Sequence, residues 1–391
     1  MPLRPTASRF ESLPATPFYF ALVLAGFATS LLGPILPALS AQWSLSDTQG
    51  GWLFAAQFLA STCGSILSSY SPRRSVALGF ASIAAGVALL ATGHYGAALL
   101  AFALIGVGLG AAVSATNLIF GTEYPERRGA LLTRVNLCWG AGAVLAPQLA
   151  GLAEHEDSLK DFLLLLALCA FVMFAAFSPL LRKGRDVLPP GDSAERRSGA
   201  RIPSTVFVLF STMLFLYVGA ETSVAGWIAT YTHRLGGLSV ARASLLVSVF
   251  WIAVVAGRGL VVWLLRVFAE RTVLLCGLAV AMAGVAMLLF PHAPWMTLLA
   301  VVVGGLGFAP LFPLLVSRML GRTGRTRQVG WIFAICGSGG AVVPWITGVV
   351  SQHAGGLRAA FLAPLAALGG ILVSVLIEGL MKPAGRDLVQ H

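Results

Sequence analysis

Twelve runs of about 20 or more mostly apolar residues, parted by short polar breaks, occupy nearly all of the 391-residue chain. They lie near 17–40, 48–70, 74–93, 95–120, 131–153, 160–181, 204–231, 240–265, 271–290, 294–319, 327–351 and 357–380. A helix needs about 20 apolar residues to cross roughly 30 Å of hydrocarbon, so each run is long enough for one crossing. Hydrophobic residues make up 57% of the chain and charged residues 10%, against about 25% charged in soluble domains. The expected fold class is therefore an all-α membrane protein with twelve transmembrane helices.

Polar residues organise these runs. Residues 182–203, RKGRDVLPPGDSAERRSGARIP, form the one long interruption, and their Arg, Pro and Gly content reads as a linker. It divides the chain into an N-terminal bundle, 1–181, and a C-terminal bundle, 204–391, of six helices each. A fixed offset of 197 residues relates the two. It carries Gly108-Leu109-Gly110 onto Gly305-Leu306-Gly307, and Gly140, Gly142 and Pro147 onto Gly337, Gly339 and Pro344. Arg74 and Arg128 likewise fall on Arg271 and Arg325. Duplicated hydrophobic bundles with a site between the copies are a transporter architecture.

The net charge of +11 would suit a nucleic-acid partner, but its placement argues for a membrane. With the N-terminus inside, all of the 26 Lys and Arg except Lys160, Arg234, Arg242 and Arg358 fall on the cytoplasmic side. That asymmetry predicts an inner-membrane protein with both termini cytoplasmic, and anionic headgroups suffice as the partner of the basic loops. The first apolar run is too long for a secretory signal and is expected to remain as the first helix. Five cysteines, without metal spacing, read as small core residues. Phosphate-loop, nucleophile-elbow and His-Glu-x-x-His motifs are missing from the sequence, and GVGLGA at 106–111 lies inside a span. No enzyme, cofactor, metal site or nucleic-acid partner is expected.

Glu221 is the acidic residue deepest in any span. An ionisable group at the bilayer centre costs roughly 2.5 to 3.5 kcal/mol on insertion scales, so it should face a cavity or a partner. A carboxylate there can take up a proton or, with Thr222, Ser223 and loosened carbonyls, hold a sodium ion. Gln57, Asn117 and Asn136 are deep amides that could read a polyol, or simply join helices. Trp139, Tyr217, Trp227 and Trp251 offer flat faces for a ring; most membrane aromatics are instead interfacial or packed. Arg258 is expected to snorkel to the headgroups, and Glu123 with Arg134 to form a cytoplasmic latch.

Twelve spans in two halves with a basic central loop resemble the major facilitator superfamily over essentially the whole chain. The segment from Tyr217 through Gly219 and Glu221 to Gly226-Trp227 is similar to the seventh-helix signature of its L-fucose permease and sodium-dependent glucose transporter branch. Asn136 with Gly140, Gly142 and Pro147, and GLGFAPLFP at 305–313, resemble that branch too. Two features depart from it. After Gly64 the chain reads SILSSYSPRR, keeping Arg73 and Arg74 without the usual Asp, and the first helix lacks the carboxylate of the fucose permease. The resemblance implies a monomeric secondary transporter moving a sugar or similar small polar solute by alternating access, coupled to H+ or Na+ through Glu221. A drug or metabolite efflux antiporter is the alternative, for which Ala146-Pro147 with Gly151 is a degraded helix-5 motif. A non-transporting sensor on the same bundle is a third reading.

Overall fold

The computed structural model describes residues 15–123, 128–182, 202–290, 293–323 and 327–381, and among them finds helices and no strand. The first run is broken: α1 (Ala15–Thr29) and α2 (Leu32–Trp43) meet at a bend of 41°. Pro34 has no N–H to return to the Ser30 carbonyl, which weakens the helix where it bends. Then follow α3 (Asp47–Ser68), α4 (Pro72–Leu90), α5 (Tyr95–Glu123), α6 (Arg128–His155), α7 (Leu159–Phe177) and the short α8 (Pro179–Arg182). The remainder comprises α9 (Ser204–Gly236), α10 (Val240–Leu264), α11 (Glu270–Met287), α12 (Pro294–Phe308), α13 (Leu311–Thr323), α14 (Arg327–His353), α15 (Leu357–Ala360) and α16 (Leu362–Leu380).

Ten helical stretches among the described residues are long and apolar enough to cross a membrane, counting α12 with α13 and α15 with α16 as single spans. The bent α1 and α2 pair makes eleven. α3 is the remaining one. Its 22 residues would extend about 33 Å, but Gln49, Gln57, Ser61, Thr62 and Ser65 dilute its hydropathy. A capping box sets its start: the Ser46 hydroxyl accepts from the Gln49 N–H, and the Gln49 side chain accepts from the Ser46 N–H. The chain thus folds as an all-α membrane bundle, and its most polar span proves to line a cavity.

In the first part of the chain α1 packs on α6, α3 on α5, and α4 on α5 and α7; later, α9 packs on α14 and α16, and α12 on α10 and α11. Between these groups the seam is made by α3 against α14, α6 against α10, and α2 against α9. Glycines set the spacing. A Cβ on Gly142 would stand 1.9 Å from the Val23 carbonyl of α1, and one on Gly339 would stand 1.9 Å from the Phe215 carbonyl of α9. The α6–α1 contact therefore returns as α14–α9, its glycine at the offset of 197 read from the sequence. The Gly-x-Gly pairs do not keep that offset. Gly79 in α4 closes on the Gly108 carbonyl and Gly277 in α11 on the Gly307 carbonyl, so Gly307 rather than Gly305 takes the part of Gly108. Loops of unequal length shift this register by two residues.

The cysteines also depart from expectation. Only Cys336 is buried; Cys138 is half-buried, and Cys63, Cys169 and Cys276 are exposed. In a membrane bundle an apolar residue can face lipid as readily as a core, so hydropathy alone does not sort them.

Candidate functional site

Glu221 sits within a residue of the midpoint of α9 and lines a cavity of about 190 Å³. Around it stand Thr29 and Ser30 at the α1–α2 bend, Phe54 and Phe58 of α3, Trp139 of α6 and Trp251 of α10. The cavity thus draws on both sides of the seam. Trp139 and Trp251 meet edge to face, ring centroids 5.8 Å apart. Two buried polar atoms in these walls lack a hydrogen-bond partner, the Trp251 Nε1 and the Ser30 Oγ. Buried polar groups are normally paired, so the walls are suited to a ligand bringing both an acceptor and a hydroxyl.

The carboxylate is held, not loose. Tyr217, one turn earlier, donates its phenol hydroxyl to Glu221 Oε1 at 2.5 Å, and its ring packs on Phe308 and Phe312. The Arg258 guanidinium interacts with both Tyr217 and Glu221. Arg258 thus turns toward this cluster, where snorkelling to the headgroups was expected, because a buried opposite charge is a stronger attraction than a distant interface. Ser223, a candidate to join Glu221 around an ion, is instead bonded to Thr347 Oγ1 at 2.5 Å. Thr222 does line the cavity.

The other candidates from the sequence are distributed as follows. Gln57 lines a second cavity, which shares Thr29, Phe58 and Trp139 with the first. Trp227 is 1% exposed, and its Nε1 donates to the Pro344 carbonyl of α14 at 3.1 Å. It fills the seam beside Phe54 and lines neither cavity. Asn117 is half-buried on α5, and Asn136 is exposed on α6, its amide donating to the Leu132 carbonyl at 2.8 Å. Neither lines the two cavities. Arg134 is exposed, while the Glu123 side chain and loop 124–127 lie outside the described residues, so the expected Glu123–Arg134 latch does too.

A latch does stand at the opposite end of the seam. Asp47 Oδ1 accepts from Arg234 at 2.6 Å and its Oδ2 from the Ser351 hydroxyl at 2.6 Å. The Thr48 N–H donates to Gln352 Oε1 at 3.3 Å, and Trp52 packs on Trp345 with centroids 5.2 Å apart. Inside the later part of the chain, Arg318 and Arg322 both bind the buried Glu378. Sequence reasoning missed both clusters. Asp47 follows a capping Ser, where an acid reads as a helix-start residue, but Glu378 near the end of an apolar run, with Arg318 and Arg322 four apart, was a usable signal.

The sequence profile of the Major Facilitator Superfamily matches residues 18–237, more than half of the chain. The chain belongs to the Major Facilitator Superfamily. Within this superfamily of transporters, not enzymes, a glucose/galactose transporter of Brucella abortus is 27% identical, over 87% of this chain and 88% of its own. A sodium-dependent glucose transporter 1A of Mus musculus is 22% identical, over 86% and 89%. Among solved structures, the E. coli fucose:proton symporter superimposes with a TM-score of 0.62 at 20% identity, covering 94% of this chain and 99% of its own. That symporter shares the fold of this chain.

Proposed function

We propose that the chain is a secondary active transporter for a sugar or similar small polar solute, coupled to H+ or Na+ through Glu221. One observation carries this: a carboxylate at the middle of a span, held by the Tyr217 hydroxyl and within the field of the Arg258 charge, opens onto a cavity walled from both sides of the seam. Aromatic faces suit the apolar face of a sugar ring, while Glu221, Thr29 and Ser30 suit its hydroxyls. The names of the glucose and galactose relatives point the same way.

In this reading two six-helix halves, 1–181 and 204–391, rock about the cavity, with 182–203 as a cytoplasmic linker. The charge asymmetry supports an inner-membrane protein with both termini cytoplasmic, acting as a monomer in contact with anionic lipid. The Asp47 end is then external, and its contacts close the seam there. Glu221 couples the ion to the solute because each alone leaves the cluster around it incompletely paired.

Uptake into proteoliposomes tests the assignment. Glu221→Gln should abolish uphill accumulation of the solute while sparing downhill exchange; full accumulation by that variant overturns it. The aromatic walls Phe54, Phe58, Trp139 and Trp251 favour efflux of an apolar compound as the second reading. Thermal shifts with sugars, and none with lipophilic cations, separate the two.

A further inference from the structure

The cavity beside the Glu221 site has a volume of about 230 Å³ and a different chemistry. Ser61 and Ser65 of α3 and Ser114 of α5 line it, and no charged side chain does. Ser114 donates to the Ser65 hydroxyl at 3.0 Å, and Ser65 donates to the Gly110 carbonyl at 3.3 Å, which fixes both hydroxyls in place. Gln57 is 1% exposed. Its amide nitrogen donates to the Thr29 carbonyl at 3.3 Å, leaving its buried Oε1 without a partner. An amide oxygen taken from water and left unmatched is unfavourable, so the pocket is arranged for a donor that arrives with a ligand.

A lone cation is a poor occupant, because hard cations favour carboxylate oxygens and this wall has none. Neutral hydroxyls match it on every count, since each both donates and accepts. Each cavity by itself falls below the roughly 300 to 1,000 Å³ usual for a small-molecule site, whereas the two taken together reach that range. Trp139, with Thr29 and Phe58, belongs to both.

We propose that the Gln57 cavity is a second saccharide subsite, and that the solute is a disaccharide or other two-ring glycoside. One ring lies against Trp139 and Trp251 beside Glu221. The other gives a hydroxyl to Gln57 Oε1 and exchanges hydrogen bonds with Ser65 and Ser114. This rests on the sugar reading of the Glu221 site and narrows it.

Equilibrium binding to the purified full-length protein in nanodiscs, followed by tryptophan fluorescence, decides the matter. The probes are D-glucose and D-galactose against maltose, cellobiose and lactose. At least one disaccharide should bind about tenfold more tightly than either hexose, the gain of one or two added hydrogen bonds. Gln57→Leu, Ser65→Ala and Ser114→Ala should each erode that ratio, with hexose affinity in the two serine variants close to that of the parent. Should hexoses bind as tightly as every disaccharide, or should the ratio survive all three substitutions, the subsite is overturned while the Glu221 reading stands. Should no saccharide of either size bind, both fall together.

Discussion

Tyr217 and Trp227 lie ten residues apart on one helix, and the structure gives them opposite work. The Tyr217 hydroxyl is committed to Glu221, so Tyr217→Phe should fold normally yet lower coupled uptake by about tenfold, the value of one charge-assisted hydrogen bond. The Trp227 indole is committed to the Pro344 carbonyl across the seam. Trp227→Phe should therefore lower stability by about 1 to 3 kcal/mol, because the carbonyl and the pocket lose their donor, and leave solute affinity unchanged. Thermal unfolding and binding titrations on the same preparation distinguish the two effects. That Glu221 faces a cavity was legible from sequence because a charge so near the middle of a span is costly unless it has a cavity or a partner. Asn136 was not, since an amide one turn from a helix carbonyl can satisfy itself locally, and no pattern in the sequence tells that choice from a ligand contact. Asp47 stayed hidden for a similar reason: its partners, Arg234 and Ser351, come from distant segments.

At the level of helices, the pairing of α6 with α1 and of α14 with α9 depends on two backbones that touch. Gly142→Ala and Gly339→Ala each force a methyl to 1.9 Å from a carbonyl, so the helices must part. Losses of about 2 kcal/mol or more are expected in thermal unfolding, at the upper range of overpacking. Gly369 in α16 is the control, with nothing within 4 Å of an added Cβ; Gly369→Ala should be neutral or stabilise by up to about 1 kcal/mol. Span number and the recurrence of Gly142 as Gly339 were readable because apolar length and close-packed glycines leave marks in sequence. The displaced role of Gly305 was not readable. Two glycines two positions apart face different neighbours on a helix, and only loop lengths decide which one meets which.

Across the whole molecule, the seam is fastened at the Asp47 end by groups that are partly wet. Side-chain exposure is 36% for Arg234 and 13% for Asp47, so this ion pair is worth at most about 1 kcal/mol. A fastening that weak suits the proposed alternating-access cycle, in which this end would release at each turn. Asp47→Asn should speed hydrogen exchange in the first turns of α3 and the last turns of α14 by up to about fivefold, as the closed end loosens. Unchanged exchange there would mean that the Trp52 and Trp345 rings hold the end shut without it.

The polarity of α3 also bears on how the chain is made. This helix is too hydrophilic to rest stably among acyl chains unless neighbours shield it, and one of those neighbours, α14, is synthesised much later, some 304 residues along where Thr48 meets Gln352. The flank of α3 that α14 covers therefore emerges without its partner, and it gains that shield only once α14 has been made.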